Sequence, residues 1–388
     1  MLTSRPTLAF ALSVCMTLGC TAEERSAQAA QPNVGNGQRD TRAGVLSMQA
    51  GSAVYELILV ATSAPTIELS RVVSLATDSR GNAYVADFPS MTVYVLSPNG
   101  SLLRKLGGRG GGPGEFRSVS TVQVVEQDSL YVFDADAARL TVFVPHSSDV
   151  AYTTSLATGA YWVEKAIGTG LLIAAYAQRY SPSDDPARDT GRVEIIRALR
   201  RDGGIARDSI LVFPGRPLLV LHGQGRMSVG TDPFGRQGLF DLTPDGRVVF
   251  SLTDTVFVRL VEPSGKRVRG FRVPAALIRI TPADIQRKAE AMSDPAMARL
   301  LRSRASRTWP RLRSLVVDDH SHIWLGLMGP GGRGGSWVVY DTLGRQIGRA
   351  ATPPDIDIKA IWRGHAYAVA PDGLDVPTIV FYRVRERR

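Results

Sequence analysis

Four short strand-like runs, each closed by a turn, fill residues 72–107, and the same order returns along most of the chain. In "VVSLATDSRGNAYVADFPSMTVYVLSPNGSLLRKLG", Val73 to Thr77 is rich in β-forming residues, and "DSRGN" is a turn in which Gly81 can take a positive φ. "AYVAD" reads as a second strand, "FPSM" as a turn, "TVYVLS" as a third strand, "PNG" as a tight turn and "SLLRKL" as a fourth strand. Short runs with turns this tight pair with their sequence neighbours, so the unit is a four-stranded antiparallel sheet.

The unit recurs at 119–156, where "YVFD" at 131–134 follows "YVAD" at 84–87 at a spacing of 47. Residues 239–273 repeat it with Gly246 and Gly265 in the places of Gly81 and Gly100, and residues 312–350 repeat it with Gly344 at the last turn. Residues 160–213 form a looser copy with the polar insert "YSPSDDPARDTG", and 356–384 supply three strands. Four-stranded units every ~40–50 residues are the mark of a β-propeller. The count is five full units and one that lacks a strand. "SAVYELILV", 52–60, is strand-like and otherwise unpartnered, and a ring completed from both chain ends leaves no open sheet edge. The expected fold is all-β: a six-bladed β-propeller closed by an N-terminal strand. One segment breaks the strand pattern. "ITPADIQRKAEAMSDPAMARLLRSRASRTWP", 280–310, has Thr281, Pro282 and Asp284 at the start of a helix, and Asp294-Pro295 divides it in two. It is a helical insertion, 281–308, between the fourth and fifth blades.

Residues 72–143 resemble the NHL-type six-bladed propellers. Their pattern is GPG-x-F, an apolar strand, dG-x-lyVaD and then RI-x-vF. Here it appears as "GPGEF" at 112–116, "LYVFD" at 130–134 and "RLTVF" at 139–143, with Thr92 in the first blade where Arg139 stands in the second. More broadly the chain is similar to bacterial six-bladed propeller lipoproteins. The resemblance implies that Asp134 pairs with Arg139 across its hairpin, and that enzymatic relatives, six-bladed lyases and lactonases, hold a cation in the central channel.

The N-terminus reads separately. "MLTSRPTLAFALSVCMTLGC" has one positive charge, Arg5, an apolar run from Leu8 to Leu18, and then Gly19-Cys20. The run is too short to span a bilayer and suits a secretory signal peptide over 1–19, and the Gly-Cys ending resembles a lipobox. Cys20 is therefore expected to be lipidated. Cleavage near "SAQAA", 26–30, is the alternative, though that site lies about ten residues past the apolar run and behind Glu23, Glu24 and Arg25. Residues 20–50 are then a lipidated cysteine and a disordered tether, and 51–388 the propeller. The chain is expected to be exported to the cell envelope as an outer-membrane lipoprotein, membrane-bound through its lipid, and monomeric. Cys15 and Cys20 are the only cysteines, so cleavage before Cys20 leaves no thiol for a disulfide or a metal.

The net charge of +10 comes from 41 arginines and 5 lysines, scattered along the sequence. Scattered arginines in an exported chain read as solvated, and no nucleic-acid partner is expected. Catalytic motifs are also missing. The glycine-rich stretch 107–114 lacks the G-K-[ST] ending of a phosphate loop and leads into a strand, and there is no G-x-S-x-G. Of five histidines, His320 and His322 lie in "DDHSH", which aligns with the plain turn "TPDGR" at 243–247; the others are His146, His222 and His365. No metal or other cofactor is expected.

In a four-stranded blade, the turns between strands one and two and between three and four share one face, which here is short and regular. The opposite face collects "GGRGGGPGEF", "DFPSM", "DADAAR", the insert at 180–190, the helices, "MGPGGRGG" and "PDGLDVP". Irregular loops on a rigid scaffold are where ligands usually dock. The candidate ligand-binding residues on that face are Asp87, Asp134, Asp136, Arg139, Arg109 and Arg333, with Asp184 and Asp185 in the insert. The leading expectation is a binding or scaffold module that engages a protein, peptide or glycan there. The alternative is a metal-dependent lyase or lactonase-like hydrolase with a channel cation.

Overall fold

The computed structural model describes residues 53–156, 160–166, 172–177, 188–189, 193–223, 226–371 and 376–387. The expected signal peptide and tether (1–50, with Cys20), and Asp184 and Asp185 of the insert, lie outside them. The described chain from residue 53 belongs to one compact unit, Gln49–Arg388.

Six groups of four antiparallel strands follow one another. Sheet 1 runs Val72–Thr77, Ala83–Asp87, Thr92–Leu96 and Leu102–Gly107. Sheet 2 runs Val119–Val125, Ser129–Asp134, Arg139–Phe143 and Val150–Ser155. Sheet 3 runs Ala160–Ala166, Leu172–Ala177, Val193–Leu199 and Ile205–Pro214, and sheet 4 runs Gly238–Leu242, Val248–Leu252, Phe257–Val261 and Arg267–Arg272. Sheet 5 comprises Leu312–Val317, Ile323–Leu327, Ser336–Tyr340 and Gln346–Ala351. Sheet 6 takes Asp357–Trp362, His365–Pro371 and Pro377–Arg387 from the C-terminus and Ala53–Thr62 from the N-terminus. The first strand of each sheet touches the first strand of the next, and that of sheet 6 touches that of sheet 1, so the inner strands form a closed ring. This is a β-propeller.

The terminal strand joins twice. It pairs antiparallel with Pro377–Arg387, from Val54 opposite Arg387 to Thr62 opposite Val380. Its first residues also run parallel to sheet 5, Ala53 opposite Gly348 and Tyr55 opposite Ala350. Tyr55 lies on the Trp324 ring at 4.9 Å.

Each seam between sheets is apolar and close-packed. Between sheets 1 and 2, Val93, Val95, Leu106, Val122, Leu130 and Phe143 surround Phe116 of the glycine-rich crossing. Gly107 has a φ of +81°, and a Cβ there would sit 2.3 Å from the Phe116 ring. The glycine is what lets the chain leave the outer strand and still lay Phe116 into the seam. Glu115 caps the same loop by accepting the Gly112 N–H at 2.9 Å.

The helical insertion forms two helices, α1 (Pro282–Glu290) and α2 (Pro295–Arg304). Thr281 and Asp284 close a capping box on α1, and the Asp294 side chain caps α2 by accepting the Ala296 N–H. The helices do not pack alone. A hairpin, Leu218–Gly223 and Arg226–Thr231, projects from the connection between sheets 3 and 4. Leu219 of the hairpin joins Phe234, Ala289, Met297, Ala298, Leu301 and Trp309 in a separate apolar core. The connections on both sides of sheet 4 thus build one cap on the irregular face. The hairpin lies in residues 214–238, outside every repeat of the sequence. Neither described helix is long and apolar enough to cross a membrane.

If the terminal strand completes sheet 6, a chain lacking residues 53–62 exposes the long edge of Pro377–Arg387 and loses the Tyr55–Trp324 contact. It is expected to elute as soluble aggregate in size-exclusion chromatography, where the intact chain elutes as a monomer.

Candidate functional site

Most candidate residues on the irregular face hold the loops themselves. Asp87 ends the second strand of sheet 1 and is fully buried. Its Oδ1 accepts the N–H groups of Ser70 at 2.8 Å and Arg71 at 2.7 Å, and its Oδ2 accepts the Ser90 hydroxyl at 2.7 Å. Asp134 does the same one sheet on: Oδ2 accepts the Arg117 N–H at 2.8 Å, and Oδ1 accepts those of Ser118 at 3.0 Å and Ala137 at 3.1 Å. A buried carboxylate that accepts several N–H groups leaves few lone pairs for a ligand. In sheet 4, Thr253 offers its hydroxyl to the Gln237 N–H at 3.0 Å.

Arg139 stands directly opposite Asp134 in the sheet, with its Nη2 4.0 Å from Asp134 Oδ2. Its stronger bonds go to the glycine-rich crossing, where Nη1 donates to Gly111 O at 2.9 Å and Nη2 to Glu115 O. Asp134, Arg139 and the crossing are therefore one assembly. Arg109, in that crossing, is exposed and donates to Pro89 O of the neighbouring loop at 3.2 Å. Asp136 is exposed. Arg333 is exposed on sheet 5, in the loop that receives the cap. There Arg287 of α1 donates to both Asp284 Oδ1 at 2.7 Å and Gly331 O at 2.8 Å. Gly332, with a φ of +74°, leaves space for the Trp309 indole, which a Cβ would approach to 2.5 Å. Among the described residues no contact joins Arg333 to Arg109. A cleft of about 160 Å³ lies where sheets 6 and 1 meet, lined by Val72, Asp355, Asp357, Lys359, Val369 and Pro377.

The regular face carries titratable groups that sequence reasoning set aside. In sheet 5, Asp318 Oδ1 accepts the N–H groups of His320 at 3.0 Å and His322 at 2.8 Å. Its Oδ2 meets His322 Nδ1 at 3.1 Å and accepts Trp324 Nε1 at 3.0 Å. Sheet 1 repeats the turn with Asp78, Asn82 and Tyr84 at the same spacing. Burial alone would raise the Asp318 carboxyl, but hydrogen bonds from His322 and Trp324 outweigh it and hold it below its ordinary value. The bond to Asp318 in turn raises His322. Asp318, Asp319 and His320 offer ligand atoms within 4.8 Å of one another, but both Asp318 oxygens are already taken, so the grouping acts as a turn clamp.

Neighbouring turns are tied across the seams. His146, in the outer turn of sheet 2, places Nε2 3.2 Å from Asp128 Oδ2 and Nδ1 3.5 Å from Asp78 Oδ2 of sheet 1. The Ser79 N–H donates to Asp128 at 2.8 Å. Arg363 of sheet 6 donates its Nη1 to Ser79 O at 2.9 Å and its backbone N–H to Asp319 at 3.1 Å. A polar belt therefore runs through sheets 5, 6, 1 and 2. The repeated Asp at 78 and 318 was the signal in the sequence; the pairing of His146 with two sheets was not visible there.

No protein-family model and no curated protein sequence matches the chain. Solved structures do. A DUF4221 family member from Bacteroides vulgatus is 12% identical with a TM-score of 0.53, over 86% of this chain and 99% of that one. A candidate exported protein of Bacteroides fragilis is 12% identical with a TM-score of 0.52, over 86% and 96%. Virginiamycin B lyase from Staphylococcus aureus aligns at 9% identity with a TM-score of 0.44, over 85% and 99%. At these identities the first two establish likeness of fold, and the third carries no further weight.

The His322 shift sets a pH test. Its folded-state pKa is raised, so its contribution to stability is complete below the ordinary value of 6.5 and fades as pH rises through the folded value. The Tm of the native chain is expected to fall over that window relative to a His322→Asn variant, which installs the neutral donor that Asn82 already provides in sheet 1. Parallel Tm–pH curves for the two proteins would contradict the assignment.

Proposed function

We propose that this chain is an exported, envelope-anchored binding module: a six-bladed propeller of NHL type, completed by its N-terminal strand and held to the membrane through lipidated Cys20. It engages a protein, peptide or glycan on the irregular face. The signal-like N-terminus and its Gly19-Cys20 ending support export and anchoring. The observation that carries the binding reading is the asymmetry of the disc. The glycine-rich crossing, the hairpin and both helices all belong to one face, while the other consists of short turns tied to one another. A propeller needs no separate apolar core above its blades to be stable, so a cap with its own core, seated on Gly331 and Gly332, suits a role in recognition.

Two measurements test this reading. Polymer-modified cysteines placed at Asp136 on the irregular face and at Leu343 on the regular face separate the two sides. Capture of the cognate partner from envelope extract is expected to be lost with the first and kept with the second; the reverse would place binding on the regular face. Chelation is expected to leave the Tm unchanged. A clear drop on chelation would favour the metal-dependent lyase or hydrolase.

A further inference from the structure

Four of the six inner strands are entered through an arginine. Arg71 directly precedes Val72–Thr77, and Arg311 directly precedes Leu312–Val317, which itself contains Arg313. Arg117 and Arg236 stand two residues before Val119–Val125 and Gly238–Leu242. The fold uses the backbone at these places. The Arg71 N–H donates to Asp87 and its carbonyl accepts from Phe88; the Arg117 N–H donates to Asp134; the Arg311 N–H donates to Thr253 O and its carbonyl accepts from Met328. Ser118 and Gln237 fill the corresponding carbonyl position in sheets 2 and 4, so the position does not require arginine.

These guanidinium groups are also poorly neutralised. Among the described residues no carboxylate forms an ion pair with Arg71, Arg117, Arg311 or Arg313, and Arg236 reaches Asp254 only at 3.9 Å. Arg71 instead lies over the Phe88 ring at 4.3 Å. The nearby acids Asp87 and Asp134 are fully buried and engaged by backbone N–H groups. Arg313 Nη1 and Arg236 Nε are buried without an acceptor, a desolvation cost that an anion on the same guanidinium would offset. The ring order sets sheets 1 and 2 across from sheets 4 and 5. By chain position the two sets of arginines therefore enter inner strands on opposite sides of the ring mouth, with Asp355 and the Asp357–Lys359 pair of sheet 6 between sheets 5 and 1.

We propose that this mouth binds an acidic glycan, with Arg71 and Arg117 reading anionic groups on one side and Arg236, Arg311 and Arg313 on the other. Two separated sets suit a chain with repeated charges better than a single small anion, and guanidinium forks match both carboxylate and phosphate oxygens. The inference rests on the reading of the irregular face as the binding face.

The test measures binding of the intact protein to polygalacturonate and to a phosphorylated mannan, with dextran as the neutral control and a single-stranded DNA oligomer as a charge-matched one. Binding to at least one acidic glycan, weakened by salt, with none to dextran is expected, and the tighter polymer identifies the anion. An Arg117→Ser/Arg311→Ser variant should lose at least about tenfold in affinity, a change of ~1.4 kcal/mol. Arg272→Ser, on an exposed arginine at the rim of sheet 4, should lose less than about twofold, well under ~1 kcal/mol. Equal losses in both variants, or equal affinity for DNA, would reduce the effect to net charge and overturn the proposal. Failure of every acidic glycan would overturn it too, while the cysteine-blocking experiment still judges the binding face.

Discussion

The structure depends on both chain ends sharing one sheet. Ala53–Thr62 is hydrogen-bonded along Pro377–Arg387 and also touches sheet 5 through Gly348–Ala350. A ring of sheets gains its seams only when every sheet has two neighbours, and sheet 6 is incomplete without the N-terminal strand. The contacts that follow reinforce the same place. Tyr367 donates to Gly81 O at 3.3 Å, and the Ala64 N–H, just past the terminal strand, donates to Gly100 O at 3.0 Å, so sheets 6 and 1 are joined by polar as well as apolar contacts.

Within the ring, side chains that look chemically active are spent on geometry. Asp87 and Asp134 gather the N–H groups that precede each inner strand, and Asp78 and Asp318 gather those of the regular turns. Each is an acid that a catalytic reading would claim, and each already has several donors. The carboxylates do their work on backbone N–H groups, and among the described residues none of them forms an ion pair with the Arg71 or Arg117 side chain.

Much of this was legible in the sequence. Strand alternation with glycine turns gave the four-stranded units, because tight turns force sequence neighbours to pair. The capping box at Thr281 and Asp284 and the break at Asp294-Pro295 located both helices, since each signal is local. The hairpin at 218–231 was overlooked although "LLVLHGQGRMSVGT" alternates around a glycine turn, because it belongs to no repeat. Arg139 was read as a partner of Asp134, but its strongest bonds reach back to Gly111 and Glu115, a contact across the crossing that spacing does not reveal. The scattered arginines hid their arrangement for a similar reason. Residues 71, 117, 236 and 311 take equivalent places, at the entry to inner strands, only once the sheets form a ring.

Native-state hydrogen exchange at the terminal strand tests the account most directly. If the disc is held closed by that strand, the amides of residues 54–62 and 378–387 exchange only with global unfolding, at the same free energy as the inner strands. Fast exchange of these two segments, while the inner strands stay protected, would show that the ring stands without them and would contradict the account.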